Sequence, residues 1–228
     1  AHESEELVFD VDSSGTKLCA QTKNGHYDYE KLLAVCCLNE MKNGRDIAVP
    51  YDAPSFLDSL AESFGRKSFR YLSAPADNSD SAARRLAAKQ IFVRDGLFLA
   101  IKILSVMKEQ ECSLDELVSE LPEKHIIRKT VPISFSPADL SSFVGEECVS
   151  IKNDFEGIRL VRESGKLLII PEKGGDKVKI MAEVESKLDT LTVIKRNGKK
   201  VNFDETKIAL SIKANISPKC AFPANNLC

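Results

Sequence analysis

Residues 47–72 read IAVPYDAPSFLDSLAESFGRKSFRYL, and this stretch decides the fold class. IAVP (47–50) is a short apolar run of strand type. Pro54 suits the first turn of a helix, where a missing N–H has no intrahelical partner to lose. Phe56, Leu57, Leu60 and Phe64 then follow with helical spacing. Gly65 stops the helix, and KSFRYL (67–72) is a second strand. Strand, helix and strand in this order predict a parallel sheet with covering helices.

Upstream, LVFDVD (7–12) reads as a buried strand ending in carboxylates, and residues 17–21 form a second strand. Lys23-Asn24-Gly25 supplies turn chemistry. Asp28 is placed to cap a helix with apolar positions Leu32, Leu33, Val35, Cys36 and Met41, and Gly44 lies near its end. Downstream, a polar loop (73–81) leads to a helix over 82–88 and a short strand, QIFV (90–93). Asp95-Gly96 then opens a long helix over 97–108. Its apolar set (Leu97, Leu99, Ile101, Ile103, Leu104, Met107) is broad enough to predict burial on most sides. Ser113-Leu114-Asp115-Glu116 is a capping box, and Leu121-Pro122 ends the helix it opens.

The pattern changes near Pro122. HIIRKTVPIS (125–134) alternates as a strand, residues 137–144 form a short helix, and strands follow around 147–152, 156–162, 166–171 and 177–184. This is a smaller α+β unit of antiparallel character. From Thr190 a strand, an Asn197-Gly198 hairpin turn, a strand and a helix capped by Asp204 make a third element. The expected fold is an α/β domain (1–122), an α+β domain (123–189) and a hairpin–helix appendage (190–228).

Composition narrows the function classes. The 43% hydrophobic and 29% charged content is that of a globular chain rather than a disordered one. No apolar run reaches the ~20 residues of a membrane-spanning helix. AHESEEL at the start is acidic, unlike a secretory leader, and without Met it reads as a processed chain or a fragment. Seven cysteines without a C-x-x-C pair, two of them (Cys36-Cys37) inside a helical pattern, read as reduced, buried thiols of a cytoplasmic protein. No Trp and three His argue against a Trp sugar platform and a His-rich metal site. The net charge of −2 hides an asymmetry: residues 191–219 carry seven basic and two acidic residues, net +5, leaving −7 elsewhere. The basic stretch lacks interleaved aromatics, which argues against a nucleic-acid partner.

FDVDSSGTKL (9–18), IAVPYDAPSFLDSLAESFG (47–65), RDGLFLAIKILSVM (94–107), SLDELVSELPEKHIIRKTVP (113–132) and FEGIRLVRESGKLLIIP (155–171) are ordered as in the alpha-D-phosphohexomutase superfamily. The resemblance covers residues 7–188. It is closest to the phosphomannomutase-like C-terminal region of bacterial fusions with a mannose-1-phosphate guanylyltransferase. It implies a three-layer α/β domain followed by an α+β domain, and a role allied to sugar-phosphate and nucleotide-sugar metabolism.

The resemblance also implies four functional loops, and the sequence departs from each. The phosphoserine loop lies in a first domain that these residues do not contain. The metal loop, Asp-x-Asp-x-Asp-Arg in active members, falls on Asp10-Val11-Asp12-Ser13-Ser14-Gly15. Asp10 and Asp12 remain as a remnant for Mg, while Ser14 and Gly15 replace the third Asp and the Arg. The sugar loop, Gly-Glu-x-Ser-Gly-His, falls on residues 87–92, where the glutamate is absent. The phosphate loop, Arg-Pro-Ser-Gly-Thr-Glu-Pro, falls on residues 170–176. Ile170 stands for the Arg and Glu172 for the Ser, leaving Lys173, Gly174 and Gly175 as a remnant. Phosphoryl transfer depends on positioning and charge, so these changes imply a non-catalytic scaffold.

TVIKRNGKKVNFDETKI (192–208) resembles the opening of the ATP-cone nucleotide-binding domain. That resemblance implies ATP contacts through Val193, Lys195, Arg196 and Lys207, although the match stops near Ala214. Three readings follow: a non-catalytic mutase-like module whose partner is a nucleotidyltransferase domain or another chain; a weakly active phosphohexomutase completed by a chain that supplies the phosphoserine; or an ATP-binding regulatory module.

Overall fold

The computed structural model describes residues 7–72, 80–132, 150–154, 157–162, 165–171, 177–184, 192–194 and 200–202. The chain divides into two compact units, residues 1–124 and 125–228.

The first unit begins with a three-stranded antiparallel sheet of order β1 (Val8–Val11), β2 (Leu18–Gln21), β3 (His26–Tyr27). α1 (Tyr29–Lys42) follows, with the Asp28 carboxylate accepting from Lys31 N–H at 3.1 Å. Nearly all of α1 is buried: Leu32, Leu33, Ala34, Cys36 and Cys37 are sealed from solvent. Its sequence is apolar on every side, as expected of a central helix. β4 (Ile47–Pro50) and β5 (Ser68–Tyr71) pair in parallel, Ile47 with Ser68 through Pro50 with Tyr71. α2 (Phe56–Ser63) crosses between them, and Gly65 at φ +63° turns the chain out of it. The α/β class expected from residues 47–72 is therefore the class observed.

α3 (Ser81–Lys89) and α4 (Gly96–Gln110) complete the layer, and α5 (Leu114–Ser119) closes the unit. The capping box forms as read: Ser113 Oγ accepts Glu116 N–H at 3.2 Å, and Glu116 Oε2 accepts Ser113 N–H at 2.8 Å. Val106 of α4 meets Val35 of α1 and Leu117 of α5 in one apolar cluster.

Three local expectations are corrected. QIFV is not a strand: Ile91–Val93 is a single 3₁₀ turn. The backbone edge it would have paired with is taken by the Gln90 side chain. β1 is not buried, because it is the outermost strand and Val8 and Val11 are exposed. α4 buries only the face bearing Leu99, Ala100, Ile103 and Val106, and Leu97, Ile101 and Leu104 face solvent.

The second unit is a five-stranded antiparallel sheet of order β6-β10-β9-β8-β7, from β6 (His125–Val131), β7 (Ser150–Asp154), β8 (Gly157–Arg162), β9 (Gly165–Pro171) and β10 (Val178–Val184). The register pairs Ile169 with Ile180 and Pro171 with Val178. Ile169 and Val178 form a small core with Leu167 and Ile180 on the same face. β11 (Thr192–Ile194) and β12 (Lys200–Asn202) form a separate antiparallel pair, Val193 opposite Val201. The helix expected over 137–144, the Asn197-Gly198 turn and the helix expected after Asp204 lie outside the described residues.

Candidate functional site

The strongest sequence expectation for chemistry falls on Asp10 and Asp12, at the hairpin joining β1 to β2. Asp12 closes this hairpin: its N–H donates to the Lys17 carbonyl at 3.0 Å, and its own carbonyl accepts Gly15 N–H at 2.9 Å. Its carboxylate is used by the same loop. Oδ1 accepts Thr16 N–H at 2.9 Å and Lys17 N–H at 3.0 Å, and Oδ2 accepts the Ser14 hydroxyl at 2.6 Å. These donors, Ser14 first and then the Lys17 amide, hold the Asp12 carboxyl below the ordinary carboxylate range. Thr16 and Ser14 further join through their hydroxyls at 2.6 Å.

Gly15, standing where the resemblance expects an Arg, has φ +73°. Any side chain there is strained by about 1–2 kcal/mol, so the turn disfavours an Arg on conformational grounds as well. The loop then meets the start of α4. Gly96 N–H donates to the Gly15 carbonyl at 2.8 Å. A Cβ on Gly96 would stand 2.9 Å from the Lys17 carbonyl oxygen and 3.0 Å from Val11 Cγ1. The Asp95 carboxylate accepts Phe98 N–H at 3.0 Å and caps the helix.

Behind this junction, two tyrosines converge. Tyr29 OH donates to the Val93 carbonyl at 3.2 Å, and Tyr71 OH donates to the same oxygen at 2.9 Å. Burial pushes both phenols well above their usual range. Lys17 Nζ lies 5.6 Å from the centroid of the Tyr29 ring. The hairpin, the 3₁₀ turn and the parallel strands are thus fastened at one point.

Within residues 87–92, matched to the sugar loop, the Gln90 side chain bonds to the backbone of β4 and the residue before it. Gln90 is buried; its Oε1 accepts Ala48 N–H at 2.9 Å and its Nε2 donates to the Asp46 carbonyl at 2.8 Å. Beside it, buried Glu40 receives Arg45 Nε at 2.5 Å and Lys102 Nζ at 2.9 Å. Burial pushes the Glu40 carboxyl up, but Arg45 and Lys102 outweigh it and hold it below its ordinary range.

These geometries test the expected Mg. Both lone-pair directions of Asp12 Oδ1 and one of Oδ2 are spent on the loop, and Asp10 is exposed on β1. Among the described residues no group of three or more His, Cys, Asp or Glu could hold a metal ion. Mg is held by one or two carboxylates together with water and phosphate oxygens, and here the donors of the loop compete with it for the Asp12 oxygens.

The other expected residues are not brought together by the described structure. Lys173, Gly174 and Gly175 lie outside the described residues, between β9 and β10. Ile170, in the Arg position, sits half-buried opposite Lys179. Val193 lies on β11, whereas Lys195, Arg196 and Lys207 lie outside the described residues.

One cluster was not anticipated. Asp115, in the first turn of α5, accepts Thr22 Oγ1 at 2.9 Å, Asn24 Nδ2 at 2.7 Å and the Tyr27 hydroxyl. It anchors the β2–β3 hairpin to α5. Burial acts to raise the Asp115 carboxyl, but these donors hold it low, while burial and Asp115 itself push Tyr27 up to about 12. The Asn24-Gly25 turn was legible, but its distant partner had no local signal.

No family model matches the sequence, and no curated protein matches it. Among solved structures, the chain is similar to a phosphoglucomutase/phosphomannomutase family protein from Burkholderia thailandensis, with TM-score 0.62 and 14% identity over 80% of this chain and 43% of that one. The fold is phosphohexomutase-like. N-acetylglucosamine-phosphate mutase, a member of the alpha-D-phosphohexomutase superfamily, aligns with TM-score 0.47 and 11% identity, over 92% of this chain and 48% of that one. The chain spans less than half the length of either structure. Among the described residues, no helix is long and apolar enough to cross a membrane.

Proposed function

We propose that this chain is a non-catalytic, phosphohexomutase-like module that serves a sugar-phosphate or nucleotide-sugar pathway as a scaffold. The observation carrying this reading is the Asp12 carboxylate, whose oxygens accept Thr16 N–H, Lys17 N–H and the Ser14 hydroxyl. A carboxylate so engaged serves as a turn-former. The glycine turn at Gly15 and the structural use of Gln90 support the same reading. In this proposal the protein works through contacts with another polypeptide, such as a nucleotidyltransferase.

The test is an assay for interconversion of glucose 1-phosphate and mannose 1-phosphate with their 6-phosphates, supplied with the sugar bisphosphate and Mg. No turnover is expected. Measurable turnover that disappears in Asp10→Asn would establish the reading of a weakly active mutase and remove this one.

A further inference from the structure

The β1–β2 hairpin holds a chain of two hydroxyls that ends on a carboxylate. Ser14 Oγ donates to Asp12 Oδ2 at 2.6 Å. A serine hydroxyl has one proton, and here it is committed to Asp12. At its 2.6 Å contact with Thr16 Oγ1, Ser14 Oγ is therefore the acceptor. The donation runs from Thr16 to Ser14 to Asp12. Each bond polarises the next, and the last ends on a charged oxygen, which makes it the strongest of the chain. On Oδ1, the Thr16 and Lys17 amides donate at 2.9 and 3.0 Å. Of the about four lone-pair directions of a carboxylate, three are taken.

We propose that Ser14 is a cation-excluding residue, whose hydroxyl competes with a hard divalent cation for Asp12 Oδ2. The inference rests on the reading of Asp12 as a turn-former and assigns the exclusion to one side chain. Oδ1 is closed by backbone amides, which the turn itself fixes. Oδ2 is closed by a single side chain, so one residue decides whether that oxygen is available. A cation there must displace the Ser14 proton, and with it the Thr16 donation behind. The exclusion is a competition for a lone pair and not a shortage of negative charge, since Asp10 and Asp12 are both present. The positive charge of Lys17 acts on Asp12 and opposes a cation as well.

The turn does not need this hydroxyl. The bond from Asp12 N–H to the Lys17 carbonyl, the bond from Gly15 N–H to the Asp12 carbonyl and the two amides on Oδ1 all remain without it. Ser14→Ala therefore opens one lone pair without opening the loop. Cation occupancy and turnover are separate readouts, so failure of this inference and failure of the proposed function are distinguishable.

Titration of the full chain with Mn²⁺, which takes the same oxygen ligands as Mg, tests it without any substrate. The free ion is followed by its electron paramagnetic resonance signal. Ser14→Ala is expected to bind Mn²⁺ roughly three- to tenfold more tightly than the wild type, because one lone pair is released from a hydrogen bond to a charged group. Ser14→Ala combined with Asp12→Asn is expected to lose that gain. Protection of the Thr16 and Lys17 amides from exchange reports an intact turn, and Ser14→Gly deletes the same hydroxyl if Ser14→Ala disturbs it. Equal affinity in wild type and Ser14→Ala overturns the proposal, and absence of binding in both counts as equal. Weaker binding in Ser14→Ala, which would make the hydroxyl a ligand, or a gain that survives Asp12→Asn, overturns it too.

Discussion

The Gln90 side-chain amide stands in for a backbone strand against Ala48, accepting its N–H at 2.9 Å while donating to the carbonyl of Asp46 at 2.8 Å. β5 holds the opposite edge of β4, and Pro50 has no N–H to offer. Gln90 thus occupies part of the outer edge of β4, where no described strand pairs.

Gln90→Leu keeps the volume and deletes the amide. It strands a buried N–H and a half-buried carbonyl, so a loss of about 1–3 kcal/mol is expected in urea unfolding. A change within 0.5 kcal/mol would show that water replaces the amide at that edge.

Gly96→Ala sets two effects against each other. Helix propensity favours Ala by about 1 kcal/mol, although less at a first position. The new Cβ meets a backbone oxygen at 2.9 Å and Val11 Cγ1 at 3.0 Å, and overpacking of this kind costs about 1–3 kcal/mol. Net destabilisation is expected in a thermal melt, relieved in part by Val11→Ala.

Asp115 links stability to pH. Its folded-state carboxyl is held below the ordinary value, so the stabilisation is complete above the unfolded value of about 3.9 and fades as pH falls through the lower folded one. Asp115→Asn should flatten that acid-side slope of unfolding free energy against pH. A wild-type slope unaltered by the substitution would mean that other carboxylates carry it.

Asp10 and Asp12 should part company under mutation. Asp12→Ala removes the acceptor for two amides and is expected to speed hydrogen exchange at Thr16 and Lys17. Asp10→Asn should leave both amides protected. Equal effects would contradict the turn-forming role of Asp12.

The thiols give a fifth prediction. Cys36 and Cys37 are sealed on α1, and burial pushes both well above the ordinary thiol range. Iodoacetamide at pH 8 should leave both unmodified in peptide mapping of the native protein, and label them only on denaturation.

The parts of the fold that were legible carried local punctuation. Asp28 and Gly44 bracket α1, Ser113 and Glu116 open α5, and Gly65 ends α2; these residues act on their own backbone neighbours, so their signal is local. QIFV misled because an apolar run of four has no period of its own, and the competitor for β4 was a side chain. The breadth of apolar positions on α4 was mistaken for burial because sequence records which residues are apolar, not whether a neighbour covers them. At the candidate site, the lost Arg position was legible at Gly15. Its positive φ and the engagement of Asp12 by Ser14 were not, because both depend on the turn closing.

The carbonyl shared by Tyr29 and Tyr71 has an optical consequence. The chain contains no tryptophan and four tyrosines, and half of these end on one oxygen, that of Val93. Near-ultraviolet dichroism and tyrosine emission will therefore be weighted toward this single junction. A movement that parts the 3₁₀ turn from α1 or β5 should register as a spectral change without any added label.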